Sequence, residues 1–434
     1  MPFRIALSGL NAASSDLQVT GNNIANSGTA GFKSSRSEFA DVYATSLGGV
    51  SNTAVGGGVR LARVAQQFSQ GNIEFTSNNL DLAVNGEGFF ILSDSGSLQY
   101  TRAGAFSVDR DGYVVNSSGQ RLQIFSPIGN SSTNFDTGSL QDLQISLSEG
   151  SPSATVDVDL AINLDASDTS AGASASSTAA AIAAFDPDTA TTYDYSTSFT
   201  VYDSLGSQHT ATSYYLKDPN TANTWYSWLY VDDGSGTAQR VDFNSGSDEY
   251  ATLVFDTDGT LDTSSSSGSS GVVSYDSLSL SSTTGAAALA LDLDYNDLTQ
   301  FGGDFAVNSL SQDGYATGRL TGLDIADNGV VSARYTNGQS TALGKIALAN
   351  FPNNQGLRQL GDTNWAQTYS SGDRLVGEAG TASFGLIQSG ALESSNVDIA
   401  EQLINLITAQ RNFQANSQVI STADTITQTI INIR

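Results

Sequence analysis

SNVDIAEQLINLITAQRNFQANSQVISTADTITQTIINIR, residues 395–434, closes the chain. Ile399, Leu403, Leu406, Phe413 and Ile420 form one seam at spacings of three and four, interrupted by Gln410 and Ser417. Val419, Ala423, Ile426, Ile430 and Ile433 form a second seam displaced by one residue. This pattern predicts a long amphipathic helix, and the displacement is the drift of a straight helix against a heptad repeat. Ser395 and Asp398 have the spacing of a capping box with Asp in place of Glu, which puts the helix start at Ser395. At roughly 1.5 Å per residue the element is about 60 Å long, too long to lie across a small β domain. It needs a partner.

The other end of the chain offers one. Phe3, Ala6, Leu10, Ala13, Leu17, Thr20 and Ile24 alternate at three and four, the seam of a second helix that stops near Gly28 and Gly31. Pairing of the two helices within one subunit is expected. Such a pair covers only one stripe of each helix, so the remaining apolar faces are expected to bury against neighbouring copies.

The 434 residues exceed what one hydrophobic core organises, which points to two to four domains. With 39% hydrophobic and 14% charged residues, 43 Gly and 16 Tyr, the composition is that of a turn-rich β protein. The formal net charge of −27 repels phosphate backbones and anionic headgroups, so nucleic acid is not an expected partner. No stretch approaches the roughly 18 apolar residues of a membrane span, and membrane insertion is not expected either. The run Ile5-Ala6-Leu7 is broken at once by Ser8, Gly9 and Asn11, so no signal-peptide core forms.

From Leu80 to Phe125 short apolar runs alternate with turn formers such as Asn85-Gly86 and Asp109-Arg110-Asp111-Gly112, a meander of hairpins. The same grammar returns from Leu320 to Phe351, with turns at Asp327-Asn328-Gly329 and Asn337-Gly338. One β domain interrupted by an insertion explains both. The insertion, residues 146–290, sets 19 acidic side chains against Lys217 and Arg240, a net charge of −17, and belongs on the outside. The expected fold class is mainly β with terminal α-helices, in a nested multidomain subunit. Residues 1–35 with 392–434 form the helical domain, and 36–78 with 365–391 form a linker or hinge region. Residues 79–145 with 291–364 form the inner β domain, and 146–290 the outer acidic β domain. Gly48, Gly49, Gly56, Gly57 and Gly58 are candidate hinges on the way out, and the span from Gly372 to Gly390 on the way back.

The chain has no Cys and a single His, His209, which excludes disulfides, thiolate sites and any site needing two imidazoles. Gly86-Glu87-Gly88 fails as a dinucleotide fingerprint because Ile91 stands where the third Gly is required. Gly56-Gly57-Gly58 lacks the Lys-Ser/Thr pair of a phosphate loop, and no G-x-S-x-G occurs. Asp292, Asp294 and Asn296 imitate a calcium loop, but Asp297 and Gly303 occupy positions that need Gly and Glu. His209 reads as a hydrogen-bonded structural imidazole. Trp225 and Trp228, three apart on a strand, face opposite sides and form no sugar-stacking platform. No catalytic residue, metal or cofactor is expected, and the chain reads as a non-enzyme.

Three N-terminal runs, Ser8-Gly-Leu-Asn-Ala-Ala13, Asn22-Asn-Ile-Ala-Asn26 and Thr29-Ala-Gly-Phe-Lys33, resemble the N-terminal signature of the bacterial flagellar rod and hook family. Leu392-Glu-Ser-Ser-Asn-Val-Asp398, Ala409-Gln-Arg-Asn-Phe-Gln-Ala-Asn416 and Ile420-Ser-Thr-Ala-Asp424 resemble its C-terminal one. Three further stretches are similar to the family's longer, hook-type members: Val201-Tyr-Asp-Ser-Leu-Gly206 with His209, Gln312-Asp-Gly-Tyr-Ala-Thr-Gly318, and Gly344-Lys-Ile-Ala-Leu-Ala-Asn-Phe-Pro352. Residues 125–195 and 235–290 match in composition only. The resemblance implies a homopolymer of identical subunits: a tube with terminal helices packed around an export channel and the insertion outermost. It bends as a universal joint, outside the cell. Self-assembly would rest on Phe3, Leu10, Leu17, Ile24, Ile399, Leu403, Leu406, Phe413, Ile420, Ile426 and Ile430. Implied partners are the rod protein, the hook cap, the hook–filament junction proteins and the type III export apparatus, which needs no cleaved signal. Alternatives are a distal-rod or hook-associated member of the family, or, from another class, a secreted β-rich adhesin or glycan-active enzyme.

Overall fold

The computed structural model describes residues 2–42, 56–129, 133–146, 149–280, 285–381 and 383–432, with the side chains of all but Pro2 and Ile430. The chain divides into two compact units. One comprises Met1–Leu147, Thr321–Arg334 and Ser340–Arg434, the other Ser148–Leu320 and Tyr335–Gln339.

The first unit holds the two long helices, Pro2–Ala25 and Ile399–Asn432. Its other main component is a 12-stranded sheet to which chain on both sides of the second unit contributes. The long strand Ser340–Asn350 sits in the middle, with Lys345 opposite Phe125, Ile346 opposite Ile124 and Leu348 opposite Phe90. Its neighbours Phe89–Asp94 and Arg121–Pro127 belong to the meander, and the turn glycine Gly329 sits at positive φ. Phe89, Tyr100, Phe125, Phe351 and Trp365 share one buried cluster beneath this sheet.

Residues 365–391, expected as linker, contain strands that join the sheets of this unit instead. Leu375–Glu378 pairs with Ser340–Asn350, Leu386–Ser389 with Leu82–Asn85, and Ala391–Glu393 with Ile73–Phe75. Gly372, Gly380 and Gly390 take positive φ between these strands, so they are turn residues. Ser35–Asp41 and Val59–Gln66 form an antiparallel ribbon on the outgoing side.

The second unit is a sandwich. Asp157–Asp165 pairs in parallel with Asp292–Asp294 and Thr299–Phe301 and antiparallel with Ala306–Gln312. This pairing corrects the boundary expected at residue 290: residues 291–320 complete the sheet of the insertion, because Asp157–Asp165 otherwise has two bare edges. Facing it are Tyr195–Tyr202, Gln208–Lys217, Thr224–Asp232 and Ala238–Val241. Leu160, Ile162, Leu293, Tyr215, Trp225 and Leu229 meet in a core drawn from both sheets. Trp228 lies on the opposite face from Trp225, as its spacing requires, and stacks on Phe185 with ring centroids 4.0 Å apart. That face is covered by a short helix, Thr178–Ala183, capped by Ser177, in a stretch whose low complexity carried no helical signal.

His209 is buried, its Nδ1 2.9 Å from the Asp232 carbonyl and its Nε2 3.4 Å from Asp203 Oδ2. Asp203 also accepts the N–H groups of Leu205 and Ser207, each at 2.8 Å, and so ties a tight turn together. Burial alone would raise its pKa, but the Ser207 and Leu205 N–H groups and His209 hold it below the usual 3.8. A depressed carboxylate contributes stability above its unfolded value and loses it as pH falls through the folded one. Asp203→Asn should therefore cost about 1–3 kcal/mol near neutral pH. Urea midpoints measured against pH should show the gap between parent and variant closing below pH ~4. A gap independent of pH would contradict this.

Candidate self-assembly surface

The two terminal helices pair antiparallel. Asn23 Nδ2 donates to Gln402 Oε1 at 3.1 Å, Gly9 faces Asn416, and Phe3 lines an open hollow of about 560 Å³ with Val419, Ala423 and Ile426. The approach at Gly9 is close enough that a Cβ there would come 2.5 Å from Asn416 Oδ1.

On the C-terminal helix the least exposed residues are Gln402, Leu406, Ala409, Phe413, Asn416, Ile420 and Ala423. Leu406, Phe413 and Ile420 belong to the seam read from sequence. Their companions do not: Gln402, Ala409 and Asn416 take the places expected for Leu403, Gln410 and Ser417. The physical reason is the close crossing, since small and amide side chains let the backbones approach where Leu would hold them apart. On the N-terminal helix Ala6, Ala13 and Thr20 are buried as expected, Asn23 joins them, and Leu10, Leu17 and Ile24 are half-buried. The helix start also differs. Asp398 Oδ1 accepts the N–H groups of Ala400 and Glu401, so Asp398 is the cap, while Ser395 serves only a preceding turn at Val397.

An apolar flank remains uncovered. Ile399 (50% exposed), Leu403 (47%), Ile404 (65%) and Ile407 (47%) line one side of the C-terminal helix, with Ile426 further along and Phe3, Ile5 and Leu7 on its partner. Among the expected assembly residues, then, Phe3, Ile399, Leu403 and Ile426 face solvent, while the Ile430 side chain lies outside the described residues.

At the base of the pair the two terminal signatures meet. Lys33 Nζ donates to Glu393 Oε1 at 2.6 Å and to the Ser69 carbonyl at 2.8 Å. Gly71 N–H donates to the same carboxylate oxygen, and Arg102 Nη1 reaches Oε2 at 3.4 Å. All three side chains are almost completely buried. Burial pulls Lys33 and Arg102 below their usual pKa values, and the Glu393 charge pulls both back. Around this clasp Asn396 accepts the Ser34 N–H and donates to the Gln67 carbonyl, and Asn23 exchanges hydrogen bonds with the Ser35 backbone. The motif residues were legible, but their joining was not, because nothing in either motif encodes a partner 360 residues away.

Gly48 and Gly49 lie outside the described residues. Gly57 and Gly58 are held, not free: Gly57 N–H donates to the Val42 carbonyl and Val42 N–H to the Gly58 carbonyl. Gly58 has φ +106° and a Cβ there would strike Ser8 Oγ, which accepts the Val59 N–H. A Cβ at Gly56 would meet nothing within 4 Å.

Removing Glu393 leaves two buried cations without their hydrogen-bonded counter-charge, with only the Coulombic pull of Glu87 remaining. Glu393→Ala should cost about 3–5 kcal/mol, read by calorimetry as a lowered melting transition of the first unit with that of the second unchanged. An unaltered first transition would refute the clasp.

Four stretches match family models. Residues 3–33 match the flagella basal body rod protein family and 83–164 the flagellar hook protein FlgE/F/G D1 domain. Residues 163–315 match the flagellar basal body protein FlaE D2 domain, and 388–433 the flagellar basal body rod FlgEFG protein C-terminal family. The flagellar hook protein FlgE of Escherichia coli (strain K12) is 37% identical over 453 residues, covering 100% of both chains. That of Salmonella typhimurium is 36% identical over 436 residues, again with 100% of both covered. That of Borreliella burgdorferi is 33% identical over 458 residues, covering 99% of this chain and 98% of its own. The crystal structure of Helicobacter pylori flagellar hook protein FlgE2 shares the fold, with a TM-score of 0.54, 16% identity, and 74% of this chain and 100% of that one covered. Likeness over the whole length, with both terminal signatures joined at one buried carboxylate, shows that the chain belongs to the bacterial flagellar hook protein family and is a structural subunit of the hook.

Proposed function

We propose that this subunit polymerises with identical copies into a tube, its terminal helix pairs lining an export channel and its acidic second unit outermost. The observation that carries the reading is the uncovered flank of Ile399, Leu403, Ile404 and Ile407. Burying such side chains gains about 1.5–3 kcal/mol each, and the antiparallel partner leaves them in water. Charge supports the layering. The second unit carries 3 basic and 24 acidic side chains, a net charge of −21, whereas the first, with 14 and 20, carries only −6. Like-charged units repel over about a Debye length, roughly 10 Å at 0.1 M salt, and are accommodated best where neighbours are farthest apart.

In this role the tube is a non-enzymatic universal joint that passes torque from the rod to the filament. Its further partners are the rod protein, the hook cap, the hook–filament junction proteins and the type III export apparatus, with export needing no cleaved signal. Leu10, Leu17 and Ile24 with Leu406, Phe413 and Ile420 build the pair, and Phe3 stands at its open end. Ile399, Leu403 and Ile426 meet neighbouring copies. Hinge freedom on the outgoing side falls to Gly56, since Gly57 and Gly58 are engaged.

Deleting residues 417–434 removes Val419, Ile420, Ala423 and Ile426 and strips the partner surface from the start of the N-terminal helix. Sedimentation should find no polymer, while circular dichroism keeps the β signal of both units. Tubes of normal order from the truncated chain would sink the proposal.

A further inference from the structure

Arg411 is the one basic residue of the helix Ile399–Asn432, and it is exposed. It stands one turn beyond Ile407 and two turns beyond Ile404, on the flank that the antiparallel partner leaves uncovered. Among the described residues its side chain makes no hydrogen bond or ion pair. Covering the flank takes this guanidinium out of water, which is costly unless the covering surface supplies a carboxylate.

The far side of the same helix carries carboxylates in the converse state. Glu401 and, from the N-terminal helix, Asp16 line an open cleft of about 510 Å³ with Asp398, Asn405, Ser35 and Ser37. Asp398 is engaged as the helix cap, whereas the side chains of Asp16 and Glu401 make no hydrogen bond or ion pair among the described residues. Arg36 also borders the cleft, but its Nη2 has a counter-charge in Glu38 at 3.2 Å. The cleft is therefore anionic. Its hydroxyl and amide oxygens can accept the guanidinium N–H groups that a carboxylate does not take.

We infer that Arg411 of one copy enters this cleft of a neighbouring copy and pairs with Glu401 and Asp16. The inference rests on the polymer reading above and names one contact within it. A second copy is the occupant because the charges are complementary: in a chain of −27, most of whose surface repels its own kind, one helix pair presents an unpaired cation and two unpaired carboxylates. Their placement agrees. At about 100° per residue, the stripe of Leu403, Ile407 and Arg411 lies roughly 140° round the helix from Glu401 and Asn405. Two different patches that point away from each other meet head to tail, and such a contact repeats from copy to copy along a helical tube.

Charge reversal tests the pairing. Arg411→Glu sets a further carboxylate against the cleft and should raise the critical concentration for tube assembly about tenfold, and Glu401→Arg, which sets cation against cation, should do the same. Both side chains are exposed and unpaired, so the melting temperature of either monomer should stay that of the parent. An equal mixture of the two chains should assemble near the parental concentration, because the flank of each then finds a cleft of opposite charge on the other. Parental assembly by Arg411→Glu alone, or no recovery in the mixture, overturns the contact with the polymer reading intact. Failure of the unmodified chain to form tubes removes both.

Discussion

One buried carboxylate closes this chain. Glu393 stands between Lys33 and Arg102 with almost no exposure, and the Lys33 contact spans 360 residues. Three such charges are costly to desolvate, so the clasp is less a source of net stability than a device that admits one arrangement, since any misplacement leaves an unpaired charge in the interior. Lys33 lies just beyond the N-terminal helix and Glu393 just before the C-terminal one. Closing the clasp therefore sets the two helices side by side and antiparallel.

That placement explains the chemistry of the pair. Ala6, Ala13, Ala409, Gly9 and Asn416 at the crossing bring the backbones close, and a close crossing buries a narrow stripe. The larger aliphatics are left at the edges. A helix of 34 residues with Ile399, Leu403, Ile404 and Ile407 in water is incomplete by itself, and more copies of the same chain are the natural completion for a hook subunit. The insertion follows the opposite rule, with a complete core between two sheets, its second apolar face covered by the Thr178–Ala183 helix, and a charge of −21.

Much of this was legible in the sequence, and the failures have definite causes. Spacings of three and four gave both helices, and Asn-Gly and Asp-Gly punctuation gave the meander, because these patterns are local. The buried stripe runs through Gln402 and not Leu403 because close approach, which hydrophobicity does not encode, selects it: an amide that pairs with Asn23 is inside, and Leu403 stays exposed. Glycines at 372, 380 and 390 read as hinges because flexibility and tight turns use the same residue, and only the strand partners of Leu375–Glu378 and Leu386–Ser389 distinguish them. The boundary near 290 was missed because residues 291–320 continue the composition of the insertion. The clasp was invisible for a deeper reason, that an ion pair between distant motifs is a property of the fold.

Electron cryomicroscopy of tubes assembled from the full chain tests the account most directly. It should show the antiparallel helices innermost, with Ile399, Leu403 and Ile407 buried against a neighbouring copy, and the acidic unit at the largest radius. Ordered tubes in which that flank faces water, or in which the acidic units form the inner wall, would contradict it.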